Sequence, residues 1–130
     1  MITQKQAEKL AKKCTVNVRK WNNKKWYIDS SDKFLYRHGF NYQDTFNLDT
    51  SILAYILPRL TFFRDHCTGY PGTVESYDAW IETLNKIIDG FYAYMGQTWK
   101  VVNPKEMDEI QEQFNESMQL FAKHFCSLWD

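Results

Sequence analysis

Three features of the sequence predict an all-α fold: three long segments whose apolar residues recur at helical spacing, Gly/Pro turn signals between them, and a capping signature at the start of the last. The architecture expected is a small helical bundle of three long helices, with a short N-terminal helix and an irregular or hairpin segment at 15–36. At 130 residues the chain is expected to form a single domain over 1–130, a basic N-terminal arm (1–36) on a helical core (37–130).

Residues 4–13 are good helix formers, and Ala7, Leu10 and Ala11 give them a thin apolar side. Residues 15–36 mix polar and aromatic residues without a helical period; a hairpin around Asp29–Asp32 or an ordered loop would suit them. The first long helix is predicted from about Asn41–Gln43 to His66, with Pro58 kinking it rather than ending it. The "TGYPG" at 68–72 stops it. The second runs from about Val74 to Tyr94 on a stripe of Tyr77, Ile81, Leu84, Ile88, Phe91 and Met95, and Gly96 closes it. Trp80, Ile87 and Tyr94 widen that stripe, which suggests more than one neighbour and possible homo-oligomers. The third opens with Asn103 as N-cap, Pro104 at the first helical position and Glu106 placed for a capping box. Its stripe is Met107, Ile110, Phe114, Met118, Phe121, Phe125 and Leu128.

No apolar run reaches the length of a membrane span, and the first residues are charged rather than signal-like. Three widely spaced cysteines without a C-x-x-C fit reduced thiols, so a soluble intracellular protein without a membrane partner is expected. The zero net charge hides an asymmetry: residues 1–27 hold eight Lys and Arg against Glu8 alone, and the remainder is acidic. Such an arm, with Trp21 and Trp26, has groups for nucleic acid, but packing on its own acidic body is favoured because nucleic-acid binders usually show a basic surface across the domain.

The first long helix carries the misfit. Asp49 falls at the centre of the arc defined by Ile52, Leu53, Ile56, Leu60 and Phe63, flanked by Arg59 and Arg64, whereas the other two stripes carry no charge. A buried carboxylate must be paired, hydrogen-bonded or protonated. Arg37, His38 or the N–H groups of the turn at Gly39 would serve as donors in a structural pair. The functional alternative is a pocket with a floor of Asp49 and Arg59, walled by Phe40, Tyr55 and a tryptophan. The candidate ligand-binding residues are Arg37, His38, Phe40, Asp49, Arg59, Arg64, Tyr70 and Trp80.

No catalytic or metal-ligating residues are assigned, and no cofactor is expected. Asp44, Asp49 and Glu82 do not form the E-x-x-H pairs of bundle metal sites, the three histidines lie on separate segments, and there is no phosphate-binding glycine loop. Arg59 and His66, six residues between them, match the loose Arg-x(4–6)-His spacing of HEPN-type ribonucleases, a match that four arginines and three histidines also produce by chance. A non-enzymatic role is the expectation.

The segments "HGFNYQDTFNLD", "ILPRLTFFRD", "GYPG", "WIETLNKIIDGF" and "LFAKHFCSLWD" together resemble a family of small proteins encoded by tailed bacteriophages and found in viral metagenomes. The resemblance covers residues 37–130 and leaves the basic arm outside. It implies a phage origin and a role in the host cytoplasm. In that setting the composition suggests a binding protein that sequesters a nucleotide-derived host immune signal, arginines holding phosphate and aromatic rings stacking the base. The alternatives are an interaction or inhibitor module acting on a host or phage protein, and a HEPN-like ribonuclease.

Overall fold

The computed structural model describes residues 1–14, 37–38 and 45–129. The fold is an all-α bundle: α1 (Gln4–Cys14), α2 (Leu48–His66), α3 (Tyr77–Gly96) and α4 (Pro104–His124), with 3-10 turns at Gln97–Trp99 and Phe125–Ser127. No strand occurs among the described residues. The expected hairpin or loop at 15–36, Phe40 and the expected helix start at 41–43 lie outside them.

The centre of the bundle is α3, which packs on α1, α2 and α4. Ser76 caps its start by accepting the Ala79 N–H at 3.1 Å, and Trp80, Leu84, Ile87, Ile88, Phe91 and Met95 are buried along it. The width of this apolar face is therefore used inside the chain: Trp80 and Ile87, read from sequence as a reason for oligomers, are 1% and 0% exposed. On α1 the buried residues are Ala7, Leu10 and Ala11, as their spacing predicts. Small residues there let α1 lie close against α2.

The helix α4 begins as predicted, with Asn103 Oδ1 accepting the Glu106 N–H at 2.8 Å. It packs mainly on α3, and the seam is set by two small residues. Ser117 is buried against Gly90, and its hydroxyl donates to the Lys86 carbonyl at 2.8 Å. This close approach turns α4 so that Phe114, Ser117, Phe121 and His124 face the seam, whereas Met107, Met118 and Phe125, read from sequence as core, lie exposed at its edge.

Sequence and structure part most clearly on α2. The helix starts at Leu48 after Asn47, so Asp49 lies in its first turn. Its buried positions are Thr50, Leu53, Ala54, Leu57, Leu60, Thr61 and Arg64. At about 100° per residue these form one face, and Leu48, Ile52, Tyr55, Arg59, Phe62 and His66 form the opposite one. The arc inferred from sequence lay between the two, because a helix apolar on opposite sides averages to a false single stripe. Thr50 and Thr61 enter the true core because their hydroxyls donate to the carbonyls of Asn47 (3.0 Å) and Leu57 (2.7 Å), which removes the cost of burying them.

Candidate functional site

Asp49, expected in the buried stripe, is exposed, and its partner is neither Arg37 nor His38. The Tyr94 hydroxyl donates to Asp49 Oδ2 at 2.6 Å, and the Tyr94 ring stacks on Phe114 with centroids 4.2 Å apart. The pair thus ties the start of α2 to the end of α3 and to α4. A carboxylate also suits the positive end of a helix. The Tyr94 hydroxyl, with the main-chain N–H groups of Thr50 and Asp49, holds this carboxyl below its ordinary value against an opposing push from partial burial. The same bond, with partial burial and the carboxylate charge, raises the Tyr94 phenol to about 12.

The sign of the linkage follows. The depressed Asp49 contributes stability that is complete above the ordinary aspartate range and is lost as pH falls below about 4. The raised Tyr94 contributes stability present below about 10, lost as pH rises through about 12. Tyr94→Phe is expected to cost about 1 kcal/mol at neutral pH and to weaken both dependences. Asp49→Asn should return the Tyr94 ionisation toward about 10, read by NMR titration of labelled tyrosine.

The remaining residues singled out in the sequence fall in separate places. Arg37 and His38 are exposed on helical backbone. Arg59 is exposed, its guanidinium 3.8 Å from the Tyr55 ring centroid and its Nη1 donating to the Tyr55 carbonyl at 2.9 Å. His66 stacks on Phe62 at 3.8 Å and its Nδ1 lies 2.8 Å from the Phe62 carbonyl. Arg59 and His66 therefore hold different neighbours, about 10 Å apart along one helix. Arg64 is buried: Nε and Nη2 donate to Asp65 Oδ1 (3.0 and 2.9 Å), and Nη1 donates to Asn85 Oδ1 (3.0 Å). It acts as a strut between α2 and α3. The pocket floor of Asp49 and Arg59 is thus not assembled.

Tyr70 and Trp80 do come together. They line a cleft of about 400 Å³ with Phe63, Cys67, Gly69, Pro71, Gly72, Ser127 and Trp129. Buried Trp80 and Cys67 lie at its inner side, while Tyr70 and Trp129 are exposed aromatic rings at its edge. The Tyr77 hydroxyl donates to the Cys67 carbonyl at 3.1 Å, which pins the connection that carries Tyr70. Behind Trp80, His124 meets the indole edge to face, with centroids 5.4 Å apart. Burial, reinforced by the Lys123 charge, lowers the His124 pKa and keeps its ring neutral at pH 7.

No charged side chain lines the cleft among the described residues. The lining residues bring polar groups in the Ser127 and Tyr70 hydroxyls, the tryptophan N–H groups and the main chain around Gly69 and Gly72, while the Cys67 thiol donates to the Arg64 carbonyl at 3.6 Å. Neither glycine is needed by the fold: a Cβ at either would meet nothing within 4 Å, and neither has φ in the left-handed region. Glycine at both positions leaves the main chain bare beside the cleft, the use glycine has where a ligand approaches backbone. Aromatic walls with a few polar groups are the usual composition of a small-molecule site.

Of the residues lining the cleft, sequence reasoning singles out Tyr70 and Trp80 but not Phe63, Ser127 and Trp129, which come from the ends of two other helices. The available signals were the "GYPG" between helices and a tryptophan placed beyond the last apolar row. No group of His, Cys, Asp and Glu suited to a metal ion occurs among the described residues, and no helix among them is long and apolar enough to cross a membrane. Comparison with protein-family models, curated proteins and solved structures gave no match.

Proposed function

We propose that this chain is a non-enzymatic, phage-encoded binding protein of the host cytoplasm that takes up a nucleotide-like ligand by its base, and so sequesters a nucleotide-derived immune signal. The observation that carries the reading is the cleft built from Tyr70, Trp80, Phe63 and Trp129. Stacking on aromatic rings holds any planar base. The uncharged lining refines the ligand chemistry expected from the sequence: Arg59 and Arg64 are engaged elsewhere, so recognition falls on the ring and not on phosphate.

Calorimetry with cyclic dinucleotides, ADP-ribose derivatives, adenosine and its 5′-monophosphate tests this. Saturable binding is expected, with the monophosphate no tighter than adenosine. Tyr70→Ala and Trp129→Ala, both at exposed positions, should each weaken binding about tenfold. Gly69→Ala should weaken it while leaving thermal stability unchanged. Absence of binding by every one of these compounds, in protein shown to be folded, sinks the proposal.

A second reading, an interaction or inhibitor module acting on a host or phage protein, draws on the exposed apolar face of α2. The ribonuclease alternative gains nothing from Arg59 and His66, which are spent on Tyr55 and Phe62.

A further inference from the structure

The exposed side of α2 is as ordered in its spacing as the buried side. Leu48, Ile52, Tyr55 and Phe62 are between 49% and 64% exposed, and Arg59 and His66 complete their row. The row is about 27 Å long. Isolated exposed apolar residues need no explanation, but a continuous row of them along a helix marks a surface that is covered by another.

The intervals along this row are four, three, four, three and four, so they read the same from either end. An identical helix laid antiparallel against it therefore meets it position for position. Ile52 then faces the partner's Phe62, Tyr55 faces the partner's Arg59, and Leu48 faces the partner's His66. Each pairing is chemically matched: apolar on apolar, cation on aromatic ring, and apolar on an imidazole already stacked on Phe62. Arg59 makes the same kind of contact with its own Tyr55, 3.8 Å from the ring centroid.

Parallel pairing would instead set Arg59 on Arg59, with nothing acidic in the row to relieve the two guanidinium groups. Antiparallel pairing keeps the two Arg59 guanidinium charges apart and opposes the two helix dipoles, bringing the end that carries Asp49 near the end that carries His66. Beside the row, a groove of about 390 Å³ lined by Gln4, Glu8, Pro58, Arg59 and Phe62 offers room for the partner's side chains. The row itself carries both halves of the cation–ring pair, Tyr55 and Arg59 at mirrored positions, so a second copy of the chain supplies every matching group.

We propose that α2 forms a homodimer interface, two copies pairing antiparallel through Ile52, Tyr55, Arg59 and Phe62. The full chain should sediment as a dimer that dissociates on dilution. Ile52→Glu and Phe62→Glu, both at exposed positions that leave the core intact, should each weaken association about 30-fold or more. The register is tested by disulfide trapping after Cys14→Ser and Cys126→Ser remove the two accessible thiols. A mixture of Ile52→Cys and Phe62→Cys chains should cross-link to each other, while either alone should not, because like positions lie about 15 Å apart in this pairing. A chain that stays monomeric up to about 100 µM, a dimer indifferent to both Glu variants, or self-linking of Ile52→Cys chains would each overturn the proposal.

Discussion

Gly90→Ala is expected to destabilise the fold by about 2–3 kcal/mol, lowering the midpoint of thermal unfolding by about 6–12 °C. On a solvent-facing helix the same change would help, since alanine is the better helix former by about 1 kcal/mol. Here the added Cβ would run into the Ser117 hydroxyl, and would lie 2.6 Å from Ser117 Cβ and 3.1 Å from the Gln113 carbonyl oxygen. The last of these is main chain, so no side-chain rotation relieves it. The two helices must separate, and the Ser117 bond to the Lys86 carbonyl goes with them. Ser117→Gly added to Gly90→Ala should recover part of the loss, because it removes the obstructing side chain. Circular dichroism melts of both variants provide the check. A Gly90→Ala protein as stable as the parent would mean that the seam is looser than described.

Arg64→Ala should cost about 3 kcal/mol, whereas Arg64→Met should stay within about 1 kcal/mol of the parent. Either change leaves the half-buried Asn85 Oδ1 without its donor, but only truncation leaves a cavity between α2 and α3. Methionine fills the channel of the arginine stem and removes the buried charge together with its desolvation cost. Asp65 is on the outer side of the pair, so it returns to water when the guanidinium is gone. Denaturant unfolding of the two variants separates these outcomes. Under the binding proposal the Met variant should also keep whatever affinity the parent shows in calorimetry, since Arg64 does not line the cleft. Loss of binding with stability retained would return Arg64 to the ligand site.

The helices were legible in the sequence because their signals are local: the spacing of Ala7, Leu10 and Ala11, the glycine- and proline-rich stop after α2, and the Asn103 cap. The orientation of each helix was less so. On α4 the bulk of Met118 and Phe125 outweighed Ser117 in any count of apolar residues, although the small residue decides which side can come closest to α3. On α2 two opposite apolar faces merged into one, and Asp49 was placed at the centre of a stripe that does not exist. Its true partner, Tyr94, is 45 residues away and counts by spacing as part of an apolar face. The cleft was half legible: Tyr70 lies within a turn signal and Trp80 near the start of the next helix, but Trp129 reaches the same space only because α4 runs back along α3.

That return path has a thermodynamic consequence. Because α4 rests mainly on α3, its seating depends on that one seam, and Ser127 and Trp129 travel with its end. A guest held against Trp129 in the cleft would therefore keep seated a helix whose seam, at Gly90 and Ser117, it never touches. Occupancy of the cleft and seating of the last helix would then be two readings of one equilibrium.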